Sequence, residues 1–112
     1  MTTQTSLEID PGDVYSMMQQ GEDFLLLDVR QPAEFETASI DGAMLIPLGS
    51  LAGRLAELEP YRNTRIIVYC HHGVRSMRAV MGLRQNGFSH AQSLAGGIDL
   101  WSQKIDPDVP QY

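Results

Sequence analysis

The sequence predicts an α/β fold: a central, mostly parallel sheet flanked by helices on both faces. Three observations carry this. Short runs of strand-forming residues alternate along the chain with segments of helical periodicity. Phe24 to Val29 is apolar throughout except at Asp28. Such a run reads as a strand covered on both faces, hence parallel and central. Glycine and proline punctuate nearly every junction between these segments.

Taken in order, Leu7-Glu8-Ile9 is a short edge strand. Asp10-Pro11 reads as an N-cap followed by proline at the first helical position. A helix then runs to about Gln20, with Val14, Met17 and Met18 on one face, and Gly21 stops it. The strand from Phe24 to Val29 leaves through Arg30-Gln31-Pro32, and Pro32 to Phe35 opens a brief helix. Ile40 to Ala43 is a turn signal before a short strand, Met44 to Ile46. Ser50 is placed to cap a helix over Leu51 to Leu58, which Pro60 ends. Ile66 to Tyr69 is a buried strand that stops at Cys70. A helix from about Arg75 to Asn86 follows, closed by Gly87. Ala91 to Leu94 is the last strand, Gly96-Gly97 a turn, and Ile98 to Gln103 a final helical turn around Trp101. Residues 5–104 form one domain, and 105–112 are a proline-rich tail expected to be loosely held.

A chain of 112 residues with 43% apolar content suits a single soluble domain. No apolar run approaches the roughly 20 residues of a membrane span, so no membrane partner is expected. Met1 to Ser6 lacks the basic and apolar regions of a signal peptide. One cysteine excludes an internal disulfide. Together these favour the cytoplasm. The net charge of −6 is unevenly placed: residues 1–53 carry −8, 54–84 carry +4 and 85–112 carry −2. The basic third holds Cys70, so a local field is expected that attracts a small anion and favours a thiolate. So acidic a chain, without a basic and aromatic stripe, does not read as a nucleic-acid binder.

The candidate chemistry lies in Cys70-His71-His72-Gly73-Val74-Arg75, a C-x4-R spacing followed by Ser76. A thiol between a strand end and a helix start meets backbone N–H groups that lack intrahelical partners. If the loop curls around the sulfur, its amides form an anion-binding nest. Gly73 permits the backbone angle, and Arg75 adds a planar cationic fork at the rim. The helix macrodipole acts from the same side. This arrangement suits a nucleophilic thiolate that becomes a persulfide and hands its outer sulfur on, without a cofactor. A buried, inert thiol is the plainer reading of a lone cysteine, but Gly73, Arg75 and the helix start favour the reactive one. His71 and His72 read as modulators of the anion's surroundings. Neighbours in sequence rarely converge on one ion, so no metal site is expected.

On these residues the chain resembles the rhodanese family of sulfurtransferases, in its small single-domain form that uses thiosulfate. Four segments carry the resemblance: Leu27-Asp28-Val29-Arg30 with Glu34-Phe35; Ile40 to Ala43 with Ile46-Pro47; Tyr69 to Ser76; and Leu94 to Ile98 with Trp101. The resemblance implies a rhodanese-like fold and no cofactor. It implies that Cys70 carries the persulfide, that the loop from His71 to Ser76 holds the outer sulfur, and that Arg75 lies near a donor sulfonate. Asp28 and Arg30 would brace the sheet end beside the loop, with Glu34 in the same network. The family often has histidine before Ile40 where this chain has Ser39, a position read as structural.

The implied substrates are a small anionic sulfur donor and a thiol or cyanide acceptor, with a protein sulfur acceptor as a variant. A related loop one residue longer, C-x5-R, suits phosphate or arsenate. The shorter spacing here fits a single sulfur atom better. A non-catalytic binding module is disfavoured by the intact Cys70 and Arg75. Kinship of fold alone does not choose among these.

Overall fold

The computed structural model describes residues 6–112. Most of the leader reading, residues 1–5, and the opening residue of the expected domain therefore lie outside the described residues. Five strands form one sheet: β1 (Glu8–Ile9), β2 (Phe24–Asp28), β3 (Met44–Leu45), β4 (Arg65–Tyr69) and β5 (Ala91–Leu94). Their order is β1-β5-β4-β2-β3, and every pairing is parallel. The helices are α1 (Pro11–Gln19), α2 (Pro32–Thr37), α3 (Leu48–Leu51), α4 (Val74–Gln85) and α5 (Gly97–Lys104), with a 3-10 segment over Ala52–Tyr61.

β4 is the central strand, and its register with β2 runs from Phe24 opposite Arg65 to Asp28 opposite Tyr69. Side chains alternate across a strand, so each apolar run is divided between two cores. Leu25, Leu27, Val29, Ile66, Val68 and Cys70 face α4 and the 3-10 segment, packing on Val80, Leu83 and Leu58. Leu26, Ile67 and Tyr69 face the other way, onto Val14, Met17, Ile98 and Trp101. This double cover is why β2 and β4 read as unbroken apolar stretches rather than alternating ones.

The predicted start of α1 is found: the Asp10 carboxylate accepts the Gly12 N–H at 2.9 Å, with Pro11 at the first helical position. Three expectations need correction. The segment after β3 is not one α-helix capped by Ser50. α3 begins at Leu48, and from Ala52 the chain tightens into the 3-10 segment, kinked at Arg54. Pro60 lies inside that segment rather than ending it. Gly53 and Pro60 are poor α-helix residues, yet Leu51 and Leu58 still bury on one side. α5 is longer than a single turn, spanning Gly97–Lys104. The tail is not loosely held. Val109 is buried, the Ser102 hydroxyl donates to its carbonyl, and the Ile105 and Asp106 N–H groups donate to the Trp101 carbonyl.

Candidate active site

Cys70 follows the last residue of the central strand, and its side chain is buried. Two amides converge on Sγ: Gly73 N–H donates at 3.1 Å and Ser76 N–H at 3.4 Å. The helix start supplies this geometry. Gly73, at φ +110°, turns the chain into α4, a backbone angle that L side chains rarely adopt. Ser76 then presents one of the first-turn N–H groups that have no intrahelical acceptor. Beneath the sulfur, the Ser76 hydroxyl lies 3.5 Å from Sγ and shares a 2.7 Å hydrogen bond with the Ser93 hydroxyl on β5.

The opposite side of the loop is pinned by α5. The Ile98 N–H donates to the Cys70 carbonyl at 2.9 Å, and the Asp99 N–H donates to the His71 carbonyl at 3.1 Å. Peptide groups are planar and trans, so their N–H points opposite to their C=O. Anchoring both carbonyls on α5 therefore turns the N–H groups of His71 and His72 away from it. The approach is close enough to require glycine. A Cβ on Gly97, at φ +61°, would stand 2.4 Å from the His71 oxygen and 2.5 Å from the Cys70 oxygen.

Arg75 does not stand free at the rim. Its guanidinium forms a bidentate pair with Glu34, Nη1 to Oε1 at 2.6 Å and Nη2 to Oε2 at 2.9 Å. The Glu34 carboxyl is held down to about 2, first by the hydrogen bonds from Arg75. Arg75 is pushed up in return by the same carboxylate. Deeper in, Asp28 and Arg30 are both inaccessible to solvent, with Nη2 to Oδ2 at 2.7 Å. Arg30 also donates from Nη2 to the Ala38 carbonyl and from Nη1 to the Glu34 carbonyl. Burial lowers the basicity of Arg30, but Asp28 and Tyr112 more than offset it, so the guanidinium stays charged. The expected link between Asp28, Arg30 and Glu34 is thus present in the geometry.

The basic field expected around Cys70 is reduced by one charge: Glu34, from outside the basic third, pairs with Arg75, whereas the +4 of residues 54–84 already includes Glu57 and Glu59. Arg54 pairs with Glu57, Arg62 with Glu59 and Arg75 with Glu34. At the sulfur itself the direct contacts are the Gly73 and Ser76 amides and the Ser76 hydroxyl.

His71, His72 and Asp99 bring ligand atoms within 4.8 Å of one another. The two imidazoles are stacked, with centroids 3.9 Å apart and planes 25° apart. Stacked rings aim their lone pairs side by side rather than at one point, so the trio is a poor ligand set. His71 is sandwiched from its other face by Tyr112, and its Nε2 is buried without a partner among the described residues. Val74 lies 70% exposed at the outer edge of the loop. A cleft of about 520 Å³ lies under the tail, between Tyr15, Ile40, Trp101 and Val109; residues 70–76 do not line it.

Sequence reasoning did not single out Ser93, Asp99 or Tyr112. Gly96-Gly97 was legible as a turn, but not its contact with the loop. These residues meet the site through long-range contacts that leave no local pattern in the chain.

Comparison with known proteins places this geometry. The family description Rhodanese-like domain matches residues 10–104. The chain is 40% identical over 101 residues to the adenylyltransferase and sulfurtransferase MOCS3-2 of Zea mays, covering 86% of this chain and 21% of that protein. A sulfurtransferase of Allochromatium vinosum is 33% identical over 102 residues, covering 91% of this chain and 94% of its own. The crystal structure of a rhodanese-related protein from Thermoplasma volcanium superposes with a TM-score of 0.81 at 32% identity, covering 96% of this chain and 100% of that one. The chain spans only about a fifth to a quarter of the longer relatives, 21% of MOCS3-2 and 26% of MoeZ from Mycobacterium tuberculosis. The family match covers the strand ends, the Cys70–Ser76 loop and the α5 start alike, and the chain belongs to the rhodanese-like sulfurtransferase domains.

Proposed function

We propose that the chain moves a sulfane sulfur from thiosulfate or a persulfide donor to a thiol or cyanide acceptor through a persulfide on Cys70. The observation that carries this reading is the convergence of the Gly73 and Ser76 N–H groups on Sγ at the end of the central strand. In the first half-reaction the Cys70 thiolate attacks the outer sulfur of thiosulfate. A new S–S bond forms as the donor S–S bond breaks, and sulfite leaves with the electron pair. In the second, the acceptor attacks the outer sulfur of Cys70–S–S⁻, and the Cys70 thiolate leaves. Electrons balance within each step, so no external oxidant or reductant is required. Amide dipoles preorganised around the sulfur stabilise both the thiolate and the terminal persulfide anion.

His71, His72 and Val74 shape the loop in this scheme, and Asp28, Arg30 and Glu34 keep its flank rigid. The single cysteine suits a reducing compartment and supports a cytoplasmic setting. A second reading, delivery to a protein acceptor, is favoured by the loop's outer edge. Val74 and the His72 side chain, 70% and 63% exposed, offer a partner an apolar and polar contact beside the sulfur.

Intact-mass spectrometry after incubation with thiosulfate tests the scheme. The expected result is a gain of about 32 Da, reversed by cyanide and absent in Cys70→Ser. No gain in the unsubstituted chain, or an equal gain in Cys70→Ser, would overturn it.

A further inference from the structure

The edge of the active loop is covered by a residue from outside it. The segment after α5 is tied down through Trp101, Ser102 and Val109, and it delivers Tyr112 onto the loop. The phenol ring stacks on His71 with centroids 4.0 Å apart and planes 9° apart. Its hydroxyl accepts from Arg30 Nη1 at 2.7 Å and donates to Glu34 Oε2 at 2.8 Å.

Glu34 is thereby saturated. Oε1 accepts from Arg75 and from the Gln31 N–H, and Oε2 accepts from Arg75 and from the Tyr112 hydroxyl. A carboxylate held at four points does not readily give up its partner. Bidentate pairing is the strongest form an arginine–carboxylate contact takes. Arg75 therefore has both terminal nitrogens on a fixed internal anion before any donor arrives. The bonded chain Asp28–Arg30–Tyr112–Glu34–Arg75 contains two cations and two anions, so the rim is electrically balanced.

We propose that Tyr112 is a specificity-determining residue: by holding Glu34 on Arg75 it keeps the site mouth neutral and discriminates against small sulfonate donors such as thiosulfate. The donors so favoured are uncharged or protein-borne persulfides, which do not depend on a free cation. The inference rests on Cys70 as the sulfur-carrying nucleophile, but binding tests it separately from turnover.

The test is a thiosulfate titration of the full chain carrying Cys70→Ala, which cannot react, read by the backbone amide resonances of Gly73 and Ser76. Adding Glu34→Gln should tighten thiosulfate binding about fivefold, and adding Tyr112→Phe about twofold, the range expected for unmasking a partly exposed charge. Phenylalanine keeps the stack on His71, so only the hydroxyl is removed. Adding Arg75→Ala to either variant should abolish the gain. A merely structural role for Tyr112 predicts weaker binding in both variants. Equal or weaker binding in the Tyr112→Phe protein overturns the proposal whatever Glu34→Gln does. So does a gain that survives Arg75→Ala. Failure of Cys70 in the unsubstituted chain to gain sulfur from an uncharged persulfide donor, read by intact mass, would instead count against the sulfur-transfer reading and leave this comparison legible.

Discussion

At the scale of single residues, Glu34 ties the site's charges together. Its pairing with Arg75 lowers its carboxyl from the ordinary 4.5 to about 2. A carboxylate depressed by folding stabilises the folded state above its unfolded value, and that stability is lost as pH falls through the folded value. The melting temperature should therefore decline between about pH 4.5 and pH 2, partly through this group. The pair is partly exposed, at 35% and 22%, so solvent screening reduces its contribution to about 1 kcal/mol. Glu57 and Glu59 are also lowered by their arginine partners, Arg54 and Arg62, so the informative quantity is a difference. Thermal melts of Glu34→Gln against the unsubstituted chain should show a gap near pH 6 that closes by pH 2. A gap constant across that range would mean that the pair does not contribute as described. Arg75 was legible from the C-x4-R spacing, and Asp28, Arg30 and Glu34 from the family resemblance. That Arg75 spends both terminal nitrogens on Glu34 was not, because the two lie 41 positions apart.

At the scale of elements, the Cys70–Ser76 loop is held between two helix starts. α4 directs N–H groups at the sulfur, while α5 directs N–H groups at the carbonyls of Cys70 and His71. Gly97 is the contact point. Gly97→Ala forces a Cβ onto two backbone oxygens at a left-handed backbone angle, so it should cost about 2–4 kcal/mol and displace the loop. Gly82→Ala, inside α4 with nothing within 4 Å of the new Cβ, should instead stabilise by about 0.5–1 kcal/mol. Chemical denaturation of the two variants measures the contrast. Equal effects would show that α5 does not press on the loop. Most elements were readable from local signals, such as Asp10-Pro11 at the start of α1 and Gly87 after α4. The 3-10 segment was not. Leu51, Leu55 and Leu58 fit an α-helical stripe, and the stripe records which side is buried without recording the pitch.

At the scale of the molecule, one sheet serves two cores. Because β2 and β4 send alternate side chains to opposite faces, damage on either face is felt through the shared strands. Leu83→Ala on the α4 face and Leu26→Ala on the α1 face should each cost about 2–4 kcal/mol. Both should lower a single transition in which far-UV circular dichroism and Trp101 fluorescence coincide. Separated transitions would show that the layers melt independently. The tail belongs to this scale too: it was read as loose from its prolines, yet Val109 packs into the α1–α5 core and Tyr112 stacks on His71. Composition describes a segment's own preferences, not the surface waiting to receive it.

The amino-acid order by itself determined the alternation of strands and helices, the covered central strands and the thiol poised before a helix start. Each of these follows from side-chain period, capping or loop spacing, which are local properties. Only the tertiary structure decided who touches the loop: Ser93 under Ser76, Gly97 against two carbonyls, Glu34 on Arg75 and Tyr112 over His71. These partners come together only when a parallel sheet gathers the C-terminal ends of its strands on one edge. Chain separations of 17, 41 and 78 residues leave no periodic trace of such meetings.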